Sequence, residues 1–178
     1  MRHLFILLLA ASFLVPQGSR AQFVRTSTDV LCLLPTATAA VLTLVNKDET
    51  GLKQLALSTL TSTALSYGLE ACIKKERPDG DGMHSMPSTH TMIAFSGASF
   101  LQRRYGWKWG IPAYAVASYV AWGRVQSKRH DIWDVLAGTA IGVGGTYIFT
   151  RPFMKGTEVA ITPSVIDDAK CLSVSITF

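Results

Sequence analysis

The stretch Trp122-Gly-Arg-Val-Gln-Ser-Lys-Arg-His-Asp-Ile-Trp-Asp-Val-Leu-Ala-Gly138 carries the densest chemistry in the chain. Arg124 is followed by His130 six residues on, and by Asp134 four residues after that. If a helix opens at Asp131, His130 and Asp134 share a face one turn apart, because positions i and i+4 are neighbours on an α-helix. A carboxylate there can accept from one imidazole nitrogen, fix the tautomer and leave the other nitrogen as a nucleophile. Arg124 contributes a planar, permanently charged fork suited to an oxyanion or phosphate.

Working outward, the apolar setting of this stretch extends over most of the chain. Four segments hold no charged residue: Val30–Asn46, Gln54–Leu69, Trp109–Gly123 and Val135–Thr150. A fifth, Pro87–Gln102, is charge-free apart from His90. All are rich in Ala, Gly, Ser and Thr, which suits close helix packing. The fold class expected is all-α: a bundle of about five helices, embedded in a membrane, ahead of a short C-terminal β-hairpin. The hairpin rests on period-two alternation over Val159–Thr162 and Leu172–Phe178, with a turn at Asp167-Asp168. The five segments are shorter than the roughly 20 residues of a typical spanning helix, which keeps a soluble periplasmic bundle as the alternative.

Composition agrees. Of 178 residues, 16% are charged, against roughly 25% in an ordinary soluble domain, while 48% are hydrophobic. One domain is expected. The net charge of +5 is scattered at the ends of apolar segments, which suits anionic substrates and lipid headgroups. No zinc-finger spacing, aromatic–basic ladder or basic recognition helix is present, so nucleic acid is not an expected partner. Cys32, Cys72 and Cys171 are odd in number and read as small hydrophobes.

The organisation expected is a signal peptide over residues 1–21, a helical domain over 22–156 and a tail over 157–178. Arg2 and His3, the apolar run Leu4–Val15 and Ser19-Arg20-Ala21 form the leader pattern; an uncleaved first membrane helix is its competitor. Threading the five helices from an outer start at Gln22 places Lys47, Lys53, Arg103, Arg104, Lys108, Arg151 and Lys155 inside, as the positive-inside rule expects. Lys74, Lys75, Arg77, Arg124, Lys128 and Arg129 fall outside against that rule. An anionic substrate supplies a reason for them.

A second polar cluster, Arg77-Pro-Asp-Gly-Asp-Gly-Met-His-Ser-Met-Pro-Ser-Thr-His90, falls on the same outer side. Its middle is a loop, and Ser88 reads as an N-cap. A helix start there would present unpaired N–H groups to a phosphate, and Arg77 and Arg124 would complete the cradle without a metal. His84 reads equally well as a satisfied structural histidine. Asp79 and Asp81 read as loop residues, and Lys128 and Arg129 as interfacial anchors.

These residues resemble the type 2 phosphatidic acid phosphatases and their vanadium haloperoxidase relatives. That family's blocks are Lys-x6-Arg-Pro, Pro-Ser-Gly-His and Ser-Arg-x5-His-x3-Asp. They are matched by Arg77-Pro78, Pro87-Ser88-Thr89-His90, and Arg124 with His130 and Asp134. Thr89 stands for the glycine, Gly123 for the serine and Glu70 for the lysine. The resemblance implies a phosphatase that transfers phosphoryl to His130, oriented by Asp134. His90 would protonate the leaving oxygen and later activate water. Arg77, Arg124, Ser88 and Thr89 would bind phosphate, with Lys74 (or Lys75) replacing the lysine lost at position 70. It implies no metal and no cofactor. The substrate expected is a phosphorylated lipid, a monoester or pyrophosphate, met in a bacterial envelope with the site facing the periplasm. Two other readings remain at this point: a soluble periplasmic acid phosphatase or haloperoxidase, and a degenerate, non-catalytic membrane protein.

Overall fold

The computed structural model describes residues 17–153, 158–166 and 169–177. Residues 1–16 of the expected leader lie outside them. Six helical segments follow in order: α1 (Gln17–Leu31), α2 (Leu34–Val45), α3 (Glu49–Cys72), α4 (Thr89–Tyr105), α5 (Trp107–Gln126) and α6 (Ile132–Phe149). They form the all-α bundle, and each of the five charge-free segments falls largely within one of α2 to α6. α1 is the addition, running across the expected cleavage point at Ala21. It breaks from α2 at Cys32-Leu33 because Pro35, near the start of α2, has no N–H to give the carbonyl of Leu31. In the tail, Glu158–Ile166 (β1) pairs antiparallel with Ala169–Thr177 (β2), with Ile166 opposite Ala169. The Asp167-Asp168 turn lies outside the described residues.

Local chemistry explains the helix ends. Asp48 caps α3 by accepting from the Gly51 N–H at 2.8 Å, and Gly106, at φ 88°, ends α4 in a conformation that favours glycine. α6 opens on a reciprocal capping box between Asp131 and Asp134.

α4 is the central helix, packed against α2, α3, α5 and α6. Phe100, Met92, Leu101 and Val120 fill the interior together with small polar residues, including Ser58, Ser62, Ser66, Ser96, Thr91 and Thr146. These satisfy one another or the backbone: Ser99 Oγ donates to Phe95 O at 2.7 Å, and Ser96 and Thr146 hydroxyls lie 3.3 Å apart. The outer faces carry the bulk instead, with Ile148 77%, Val45 72% and Trp133 68% exposed. Small polar residues inside and large apolar ones outside is the arrangement of helices packed in lipid. Among the described residues two segments, Ala21–Val45 and Ile132–Phe149, are long and apolar enough to cross a membrane.

α4 and α6 approach very closely. A Cβ on Gly138 would overlap the Ser88 carbonyl oxygen, and one on Gly142 would overlap that of Met92. With Thr146 they form one stripe at i, i+4 and i+8, so α6 lies almost backbone to backbone on α4.

At the opposite end from the polar clusters, Arg104 closes the bundle. Its Nε lies 2.7 Å from Asp48 Oδ2, Nη2 lies 2.5 Å from Asp48 Oδ1, and Nη1 donates to Arg151 O at 2.9 Å. Tyr105 also donates to Asp48 Oδ2, at 2.9 Å. Both charged side chains are almost fully buried. Asp48→Ala would leave Arg104 buried without its counter-charge, a loss of about 3–5 kcal/mol. Thermal unfolding in detergent should show it as a markedly lowered midpoint; an unchanged midpoint would count against the clasp.

Candidate active site

The ends of α1, α3 and α5, the start of α4 and the loop before α6 converge on a polar cleft of about 350 Å³, lined by residues from both sequence clusters. Its centre is His130. Ser127 caps α5 and the chain turns back, aided by Lys128 at φ 55°, so that His130 N donates to Arg124 O at 3.2 Å. The His130 side chain is 6% exposed. Its Nδ1 lies 2.7 Å from the Ser85 carbonyl oxygen. A carbonyl only accepts, so Nδ1 carries the proton and Nε2 keeps its lone pair. Burial, with the Arg124 and Arg77 charges, pushes the pKa of His130 down to about 4, against the opposing pull of Ser85 O and Asp134. The ring is neutral at neutral pH, which a nucleophile requires.

Asp134 does not orient His130 directly, as the spacing suggested. Its Oδ2 stands 3.8 Å from His130 Nδ1, too far for a hydrogen bond. The reason is local: α6 begins at Ile132, so His130 precedes the helix, and the Asp134 carboxylate is already engaged. It accepts from Ser85 Oγ at 2.5 Å, from Lys75 Nζ at 2.7 Å and from Asp131 N at 3.0 Å. Ser85 is therefore the link, bonding His130 through its carbonyl and Asp134 through its hydroxyl.

Lys74 does not enter the site. α3 ends at Cys72 and Ile73 is extended (φ −97°, ψ 100°), so helical spacing no longer joins position 74 to Glu70 and Arg77. Lys74 is exposed. Lys75 turns inward and bridges Asp131, at 2.5 Å, and Asp134, at 2.7 Å. Burial alone would lower its pKa, but the bonds to the two carboxylates raise it above the ordinary lysine value. Glu70, at the family's lysine position, lines the cleft. Ser88 is a second correction. It is fully buried, its hydroxyl pairs with that of Thr91 at 3.0 Å, and its N–H is given to Asp134 O at 3.0 Å. Thr89 is the residue of this helix start that lines the cleft.

His90, Arg77 and Arg124 line it as well. Arg77 Nε donates to His84 O at 3.3 Å, which aims the guanidinium. Arg124 is 4% exposed; its Nη1 meets Asp29 Oδ1 at 2.5 Å, while its Nε is buried with no partner among the described residues. Arg129 is no surface anchor: it lines the cleft and holds the preceding loop through Asp79 (3.2 Å) and Asp81 (2.7 Å). Sequence reasoning missed Asp29, Ser85 and Arg129. Asp29 had a signal, as the first acidic residue in the chain at the edge of an apolar segment; Ser85 had none.

The low pKa of His130 has a consequence for stability. Unfolded, the ring protonates near 6.5; folded, near 4, so between these values only the unfolded chain takes up the proton. The stabilisation is complete above pH 6.5 and is lost as pH falls towards 4. Wild type should therefore lose thermal stability relative to His130→Asn across that window. A constant difference between the two proteins would show that the folded ring charges freely.

Comparison with known proteins identifies the family. The PAP2 superfamily profile matches residues 4–157. The chain is 33% identical over 153 residues to the lipid A 4'-phosphatase of Helicobacter pylori (strain J99), across 80% of this chain and 76% of that one. It is 28% identical over 131 residues to the lipid A 1-phosphatase of Helicobacter pylori (strain 26695), across 67% of each. A crystal structure of a transmembrane PAP2-type phosphatidylglycerolphosphate phosphatase from Bacillus subtilis superposes with a TM-score of 0.47. It is 21% identical and covers 83% of this chain and 91% of that one. The chain belongs to the PAP2 superfamily and is a membrane phosphatase, a phosphoric ester hydrolase.

Proposed function

We propose that this phosphatase hydrolyses the phosphate of a membrane lipid by two-step transfer through a phosphohistidine on His130. The observation that carries the reading is the pairing of a neutral His130, its Nε2 unprotonated, with a buried Arg124 whose Nε has no partner among the described residues. One supplies a nucleophile; the other supplies a donor that a phosphoryl oxygen would satisfy.

In the first step His130 Nε2 bonds to phosphorus as the bond to the lipid oxygen breaks, and His90 gives that oxygen its proton. Arg124, Arg77 and the Thr89 end of α4 hold the equatorial oxygens, where phosphoryl transfer obtains most of its catalysis. Positive charge grows on the His130 ring as the bond forms. The Ser85 carbonyl at 2.7 Å and the Asp134 carboxylate at 3.8 Å stabilise it. In the second step His90 takes a proton from water, whose oxygen attacks phosphorus and releases phosphate and free His130.

A lipid substrate suits a cleft set at one end of a bundle with apolar outer faces. The relatives named as lipid A phosphatases favour a phosphorylated saccharolipid within that class. The basic residues near the opposite end, including Lys47, Arg103 and Lys108, favour a bacterial inner membrane with the cleft on the periplasmic side. The same apolar exterior speaks against a soluble acid phosphatase.

Phosphate release should persist in EDTA, with lipid A species preferred over phosphatidic acid, and His130→Ala should lose roughly a thousandfold or more in kcat. Radiolabelled substrate should leave an alkali-stable, acid-labile phosphoryl group on wild type and none on His130→Ala. Full turnover in His130→Ala would sink the mechanism. Glu70→Gln should lower KM with little change in kcat, because it removes a carboxylate from the phosphate cleft; an unchanged KM would place Glu70 outside the substrate's field.

A further inference from the structure

The geometry points to Asp29 as a positioning residue of the phosphoryl site, carried in by α1 to seat Arg124 and hold His90 for proton donation to the leaving oxygen. This rests on the role proposed above for His90. Asp29 Oδ1 lies 2.5 Å from Arg124 Nη1 and 3.4 Å from His90 Nε2. One carboxylate oxygen thus touches both the group that would bind the phosphoryl oxygens and the group that would protonate the departing one.

The placement is built. α1 docks on α5 where Gly123 leaves room: a Cβ there would overlap Thr28 Cγ2 and crowd Val24. Thr28 is fully buried, and Ser27 Oγ lies 2.9 Å from Tyr119 OH. Thr28 and Asp29 are adjacent, as are Gly123 and Arg124, so packing the first pair aligns the second. Gly123 stands where the resembled motif has serine, and the absence of that side chain is what lets α1 close on α5.

The electrostatics give the carboxylate its task. The other charged or titratable groups lining the cleft beside His90 include Arg77, Arg124, Arg129, His130 and Glu70. Burial of the ring comes first, and the neighbouring cations led by Arg124 add to it, pushing the His90 pKa down to about 4; Asp29 and the negative charge of a bound phosphate work against both. Asp29 is the one acid within ion-pair distance of that ring among the described residues. At 3.4 Å it supports the protonated ring by charge while leaving the proton free to move. When the phosphorus–oxygen bond breaks, the pair of electrons stays on the lipid oxygen and the His90 proton joins it; Asp29 itself neither gains nor loses a proton.

The test uses the full chain in detergent micelles, with Asp29→Asn and Asp29→Glu assayed on a lipid phosphate and on p-nitrophenyl phosphate. The lipid alkoxide needs a proton to leave, whereas p-nitrophenolate leaves without one. Asp29→Asn should lower kcat on the lipid roughly tenfold or more and on p-nitrophenyl phosphate far less, with Asp29→Glu restoring part of the ratio. That ratio is independent of how much enzyme is folded, so partial misfolding does not blur it. Gly123→Ser, which pushes α1 outward, should shift the ratio in the same direction. Equal losses on both substrates would reduce Asp29 to a structural role and overturn the inference. So would tighter orthovanadate inhibition with undiminished kcat, since Asp29 would then be a competitor for the phosphoryl site. Undiminished turnover in His130→Ala would overturn the two-step mechanism, and the role of Asp29 with it.

Discussion

The closeness of α6 to α4 governs the rest of the structure. Gly138 and Gly142 present bare backbone to Ser88 and Met92, and this proximity brings Asp134 O within 3.0 Å of Ser88 N. That single backbone bond ties the start of one helix to the start of the other. His90 and His130, on separate sequence clusters, thereby face one cleft. Any side chain at Gly138 would separate the two starts and, with them, the nucleophile from its proton donor. Interiors pack densely enough that such a displacement is not absorbed nearby.

Charge is handled differently at the two ends of the bundle. At the Arg104 end, Asp48 and the Arg151 and Pro152 carbonyls take up the guanidinium while Tyr105 adds a donor to Asp48, so the network is closed and structural. At the cleft, compensation is deliberately partial. Lys75 is shared by two carboxylates, while Arg124 retains a buried Nε without a partner among the described residues. A closed network stabilises a fold; an open one leaves a donor for an anion. Burial, with the surrounding cations adding to it, keeps His130 neutral.

Some expectations failed for reasons of local geometry. Lys74 was matched to the cleft by helical spacing, but the helix ends before it, and in the extended chain beyond it is Lys75 that turns inward. Ser88 reads as a phosphate-binding helix start, yet its N–H is consumed by Asp134 O. Asp134 has the right spacing to bond His130, but the helix starts two residues after the histidine and its capping box claims the carboxylate. In each case spacing identified the neighbourhood, and the hydrogen-bond competition within it chose the partner.

Sequence by itself determined the helical class, the five apolar segments, the two polar clusters and the family. All of these follow from periodicity, the absence of charge and short motifs with internal spacing, which are local properties of a chain. Only the tertiary structure decided which atoms meet. Asp29 reaches Arg124 and His90 across the bundle because α1 packs on Gly123, and Ser85 joins His130 to Asp134 through a loop that no period describes. Contacts between distant segments depend on how closely backbones approach and on which donors remain unclaimed, and both are settled only when the helices are packed.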